Sequence, residues 1–363
     1  KAFAKEESGS DEFNIWDSAF YSEKLKHKRF DISQEVLRPY FPVPIVLNGL
    51  FEIVKRLFSI EVLAKPEVSS FHPDACYYSI SSNGEEIAGF YLDLYARKNK
   101  RGGAWMADCS SRRRLEDGSI QMPVAFLVCN FTPPVDGKPS LLTHNEVTTL
   151  FHEFGHGLHH MLTTVDVAGV SGISGVPWDV VELPSQFLEN WCWQEESLAM
   201  MSQHYETGES LPKEMLDKML EAKHFQSGMM MMRQIEFSLF DFLLHRDFSE
   251  TENNDVLALM DYVRNKVSVI KPPEYTRFSH SFSHIFSGGY AAGYYSYKWA
   301  EVLAADAFSR FEEEGIFNTQ TGLDYKEQIL QKGGSLEAMD MFVNFRGRKP
   351  SVDPLLKQAG MKI

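Results

Sequence analysis

Between Leu150 and His160, the stretch LFHEFGHGLHH, four histidines and a glutamate interrupt an apolar run. His152 and His156 are four residues apart, so on a helix they project from one face, one turn apart, where two imidazoles can share one cation. Glu153 sits beside them, giving HEFGH, an H-E-x-x-H match. Neutral imidazole nitrogen and carboxylate oxygen are zinc donors, and a hydrolytic zinc site keeps one position for water beside three protein ligands. Two histidines leave that set one ligand short. A carboxylate next to the water, here Glu153, has the chemistry of a general base. One Zn2+ per chain is the cofactor this pattern predicts. His159 lies on nearly the same face but cannot reach the same ion along one rigid helix, so it is assigned to packing or support; His160 is assigned to the surface.

The third ligand must come from elsewhere. The extended metzincin pattern needs a third His at position 162, where this chain has Leu162, which excludes that class. After the glycine-studded GVSGISGV, read as a flexible loop, comes PWDVVELPSQFLENWCW with three candidate carboxylates, Asp179, Glu182 and Glu189. Glu182 stands among Val180, Val181 and Leu183, where an unpaired charge would be costly to bury, and it is assigned as the ligand. Glu189 is seven residues on and shares a face with Glu182 if the helix is continuous, although Pro184 can kink it; it is read as a supporting partner.

A second constellation is FSHIFSGGYAAGYYSYKW, Phe282 to Trp299, in which Gly288-Gly289 precedes tyrosines at 290, 294, 295 and 297. Tyrosine hydroxyls and a histidine N–H can stabilise an oxyanion. Composition alone favours plain aromatic packing, and the glycine pair suggests a mobile loop or a backbone approached by ligand.

These side chains need elements to hold them. Thr143 with Glu146 three residues on is a capping-box signature, and Val147, Leu150, Phe151, Phe154, Leu158, Met161 and Leu162 follow at helical spacing, so a helix is expected over about 144–163. Gly155 would let another backbone approach the motif. Helical periodicity covers most of 13–62, including NGLFEIVKRLFSIEVL; short segments at Ala75 to Ser79, Ile87 to Tyr95 and Pro123 to Phe131 predict a small sheet over about 74–131; helices dominate from Thr143 on. The run Met229 to Met232 is read as core packing. The expected fold class is mainly α with a small β-sheet, with residues 1–62 as a helical segment and 63–363 as the region carrying the site.

The chain's 363 residues carry a formal charge of −14, which gives no basic footprint for nucleic acid. No apolar run is long enough for a membrane span, and four scattered cysteines without CxxC spacing fit a reducing, cytoplasmic compartment. Lys1 in place of Met leaves room for a longer chain.

Taken together and in order, HEFGHGLHH, DVVELPSQFLENW and HIFSGGYAAGYYSYKW resemble the thimet-oligopeptidase-like zinc metallopeptidases, and the likeness runs over essentially the whole chain. The resemblance implies a zincin-type catalytic domain with an HExxH helix, part of a two-lobed helical fold around a channel that admits short unfolded peptides and hydrolyses their internal bonds, including those of cleaved signal peptides. It implies His152, His156 and Glu182 as zinc ligands and Glu153 as base. It also implies Tyr290 and Tyr297 as oxyanion and substrate contacts, with His284 beside them. HIFSGGY has one more residue between the histidine and Gly-Gly-Tyr than mammalian members show, so His280 is the rival of His284. Family members are longer at the N-terminus, so the implied partners are short peptides and the remaining N-terminal portion of the same chain, in a monomer with no nucleic acid and no membrane. A peptide-binding module without turnover and a dipeptidyl exopeptidase are the competing readings.

Overall fold

The computed structural model describes residues 1–249 and 255–361. The chain divides into two compact units, one of residues 1–33, 217–299 and 356–363 and a second of residues 34–216 and 300–355.

The second unit is built on a five-stranded sheet. Helix α1 (Val43–Phe58) buries Val46, Leu50, Ile53, Val54 and Leu57 along one stripe and stops at Ser59, whose φ of 52° turns the chain out of the helix. The helical reading of 13–62 therefore overruns. After Ser59 the β-branched Ile60 and Val62 lead into strand β1 (Glu61–Ala64). The other strands are β2 (Ala75–Ser82), β3 (Glu85–Tyr95), β4 (Trp105–Ser110) and β5 (Val124–Phe131), in the order β1-β2-β3-β5-β4. Only the β3–β5 pair is parallel; β5 is an interior strand, laddered to β3 on one side and antiparallel to β4 on the other. Strand β4 was not anticipated from sequence. It is a polar edge strand in which Asp108 and Cys109 are exposed, so it lacks the apolar alternation that marks a half-buried strand.

Helix α2 (His144–Met161) lies across the sheet. Its Phe154 ring meets Phe90 edge-on at 5.5 Å, and at Gly157 an added Cβ would lie 3.0 Å from Leu127 of β5. Helix α3 (Leu183–Glu189) packs against α2, and behind it Phe187 stacks on Tyr325 at 3.9 Å while Trp191 meets Phe308 at 5.0 Å, all fully or nearly fully buried. Each such aromatic contributes on the order of 2–3 kcal/mol by burial, so the wall behind α3 is stiff. The loop GVSGISGV is close-packed: Gly334 N–H donates to Val170 O at 3.0 Å, and added Cβ atoms at Gly172, Gly175, Gly333 and Gly334 would each meet backbone within 2.8 Å. These glycines serve interior packing.

The first unit gathers helices Ser18–Phe30, α4 (Ser227–Asp247) and α5 (Val256–Val267). Its core joins Phe237, Phe240 and Leu244 of α4 to Met260 and Val263 of α5 and to Phe282, Ile285 and Tyr294. The methionine run starts α4 but is not core: Met229, Met231 and Met232 are partly covered and Met230 is 61% exposed. The apolar positions of α4 that face inward begin only at Phe237. Among the described residues, no helix is long and apolar enough to cross a membrane.

Candidate active site

The capping box expected from sequence is present. Thr143 N–H donates to Glu146 Oε2 at 2.7 Å and Glu146 N–H to Thr143 Oγ1 at 3.1 Å, which fixes where α2 starts and hence which face its histidines occupy. At Gly155 an added Cβ would lie 2.5 Å from Pro184 O and 2.6 Å from Ser185 Cα. Only glycine permits this approach, and it brings Glu182 beneath His152 and His156. Glu182 Oε2 lies 3.3 Å from His152 Nε2 and 3.2 Å from His156 Nε2. Pro184 does not kink the helix; it occupies the first turn of α3, where its missing N–H costs nothing. Glu182 stands at the N-cap and Glu189 at the far end of α3.

His152 is consequently held on both sides. Its Nδ1 is 2.6 Å from Glu189 Oε1 while its Nε2 faces Glu182. Burial opposes its charged form, but the two carboxylates outweigh that and raise its pKa well above the ordinary value. Glu182 is 2% exposed, and although burial pushes its carboxyl up, His156 and His152 hold it well below the usual range. Ser185 Oγ donates to Glu182 Oε2 at 3.1 Å, a contact the sequence did not announce. Glu153 is 5% exposed, its Oε2 has no hydrogen-bond partner, and burial raises its pKa.

The donor set fits a zinc ion. Tetrahedral donors at about 2.1 Å from a common centre lie about 3.4 Å apart, close to the 3.2 and 3.3 Å found here, and one ligand atom from each of the three residues falls within 4.8 Å of the others. Asp179 takes no part in this cluster.

The bystander histidines divide. His159 is fully buried with neither ring nitrogen partnered, and burial lowers its pKa to about 3, as expected of a packed neutral imidazole. His160 is not a surface residue. It is fully buried, its Nε2 lies 3.0 Å from Ser110 O of β4, and Gly172 packs over its ring and backbone. Facing the sheet, it ties the end of α2 to β4, a placement that depends on a contact fifty residues away.

In the first unit the structure collects Tyr290, Tyr297 and His284. The two tyrosine rings stack at 4.9 Å and 21°, and His284 is 6.3 Å from each. His280 makes no ring contact with these tyrosines. The glycine pair has a local explanation: Gly288 passes so close to His284 that an added Cβ would lie 2.8 Å from its carbonyl, and Gly289 has φ 88°. The turn closes with Tyr290 N–H donating to His284 O at 3.0 Å. Tyr294, by contrast, is core, and burial raises its pKa.

Residues 1–361 match the family model described as peptidase family M3. The chain belongs to this family. Among curated M3 relatives, it is 59% identical to oligopeptidase A of Escherichia coli, with all of this chain covering 53% of that protein, and 35% identical to the dipeptidyl carboxypeptidase of the same organism, with 96% of this chain covering 51%. The chain thus spans about half the length of the curated relatives it matches. In fold it is similar to a solved structure titled PZ peptidase A with inhibitor 2, at a TM-score of 0.53 and 15% identity over 97% of this chain and 59% of the other. The M3 fold, mainly helical with a small mixed sheet, is the architecture described above.

Proposed function

We propose that this chain carries the catalytic zinc centre of an oligopeptidase that hydrolyses internal bonds of short, unfolded peptides, cleaved signal peptides among them, in the cytoplasm. The observation that carries the reading is the convergence of His152 Nε2, His156 Nε2 and Glu182 Oε2, with Glu153, whose Oε2 has no hydrogen-bond partner, on the helix of the two histidines. His152, His156 and Glu182 would hold the ion, which when bound supplies Lewis-acid polarisation of a carbonyl and acidifies water. Glu189 fixes the tautomer and ring orientation of His152 through its Nδ1. Glu153 takes a proton from the attacking water and delivers it to the leaving amine; its burial-raised pKa suits both halves of that transfer. Tyr290 and Tyr297 hydroxyls and the His284 ring donate hydrogen bonds to the oxyanion and the substrate backbone.

A peptide substrate adds as a strand to the open edge of β4, whose main-chain groups accept many sequences. Strand β5 is unsuited to this, because it uses both of its ladders within the sheet.

Glu153→Gln tests the reading. The variant is expected to retain one zinc per chain by metal analysis while kcat on a quenched fluorescent peptide falls about 100- to 10,000-fold. Full activity with zinc bound would remove Glu153 as base. The likeness to a dipeptidyl carboxypeptidase supports a second reading, release of dipeptides from a free C-terminus. Mass spectrometry of a C-terminally amidated peptide separates the two, since an internal cut survives the block and a C-terminal dipeptidase leaves the peptide whole.

A further inference from the structure

We propose that Asp241, on α4, is a positioning residue for the reaction, because its carboxylate fixes the turn that carries Tyr290. The inference rests on the oxyanion role proposed for Tyr290. Tyr290 begins a turn closed by Gly293 N–H donating to Tyr290 O at 2.8 Å, and within that turn Ala292 has φ 54°. Alanine seldom adopts this left-handed conformation, so the surrounding structure must impose it. Asp241 supplies the constraint. Its Oδ1 accepts Ala292 N–H at 2.9 Å and its Oδ2 accepts Tyr294 N–H at 2.9 Å, while His245 Nδ1, one helical turn along, lies 3.0 Å from Oδ1.

Asp241 is fully buried. A carboxylate there would be expensive without donors, and both amides that donate to it belong to the turn rather than to its own helix. The carboxylate and the turn therefore depend on each other. The preceding limb is closed on His284, where Gly288 crosses its backbone and Tyr290 N–H binds its carbonyl. Tyr290 is thus suspended between two anchors, and its ring is stacked on Tyr297. A hydroxyl that must meet an oxyanion at hydrogen-bond distance tolerates only a few tenths of an ångström of drift, which explains why a short loop has a buried anion on one side of it.

The test compares Asp241→Asn, Tyr290→Phe and the double variant in the whole, zinc-loaded protein. An amide offers one acceptor oxygen where the carboxylate offers two, so one of the two turn bonds is lost. Expected are a kcat about 10- to 100-fold lower for Asp241→Asn with KM within about threefold and zinc content unchanged, and a double variant within about threefold of Tyr290→Phe. A turn that acts only in folding would leave the losses multiplicative. Multiplicative losses overturn the proposal, as does a normal kcat for Asp241→Asn beside a slow Tyr290→Phe. Wild-type turnover by Tyr290→Phe removes the oxyanion role itself and this proposal with it. Should Asp241→Asn not fold, amide hydrogen exchange on the wild-type protein decides: Ala292 and Tyr294 are expected to be protected at least about 100-fold over Ala291, and equal rates at the three overturn the anchor.

Discussion

Replacing Gly155 with alanine strikes a place where α2 and α3 meet backbone to backbone beside the residues proposed as metal ligands. The new Cβ would sit 2.5 Å from Pro184 O, 2.6 Å from Ser185 Cα and 2.9 Å from the Pro184 carbonyl carbon, against 3.4 Å for ordinary contact, a shortfall of 0.9 Å. None of these atoms is a side-chain end that can swing aside, so the start of α3 must retreat by most of that distance. Glu182 is the residue immediately before α3 and His156 the residue immediately after Gly155, so the 3.2 Å spacing of their donor atoms opens directly. Metal–ligand distances are held to about 0.2 Å, and the retreat exceeds this severalfold. The expected result is a zinc Kd weakened about 10- to 100-fold, measured by competition with a chromophoric chelator. Overpacking costs about 1–3 kcal/mol and alanine returns close to 1 kcal/mol of helix propensity, so the net cost is about 0–2 kcal/mol and the zinc-free melting temperature falls by at most about 3 °C. Gly157→Ala is the control. Its Cβ would meet only the methyl ends of Leu127 and Met161, at 3.0–3.3 Å, and zinc affinity should hold. Wild-type zinc affinity in Gly155→Ala would refute the claim that this contact sets the ligand spacing.

Other perturbations have defined outcomes. Glu189→Gln should weaken zinc about 10-fold by loosening His152, yet leave kcat near wild type once zinc is saturating; a proportional loss of kcat would give Glu189 a different role. Thr143→Ala removes the side-chain acceptor of the capping box and should cost about 1 kcal/mol in thermal or urea unfolding. Asp306 is fully buried, and although burial raises its pKa, Arg348 at 2.6 Å and the Ser351 amide at 2.7 Å bring it below the ordinary value. A depressed folded pKa contributes stability above the unfolded value near pH 4 and loses it as pH falls through the folded one. Asp306→Asn should therefore be less stable than wild type at pH 7, with the gap closing below about pH 4; a gap constant with pH would show that the charge is not what matters.

What sequence could reveal was decided by the range of the interactions involved. The His152–His156 pair, Glu153 beside it and the capping box are local, set by spacings of one to four residues, and the structure places all of these residues on one helix with the capping box formed. Glu182 was legible by a different route, as an acid stranded among apolar neighbours, and Asp241 carries that same signature in SLFDFLLH, where it went unread. The overrun past Phe58, the edge strand β4 and the burial of His160 all turn on partners distant in the chain. His160 looks like the polar end of a helix until Ser110 and Gly172 close over it. The methionine run erred in the opposite direction, since composition says what a side chain could fill and not which way its helix faces.

Helix α3 is seven residues long and has a glutamate at each end of its interval, one facing Nε2 and the other Nδ1 of the same imidazole. It works as a length standard. Each residue of helix adds about 1.5 Å of rise and 100° of turn, so inserting or deleting a single residue between Glu182 and Glu189 would swing one carboxylate off the ring altogether. Across relatives and in engineered variants, this stretch should accept many changes of side chain and almost no change in residue count.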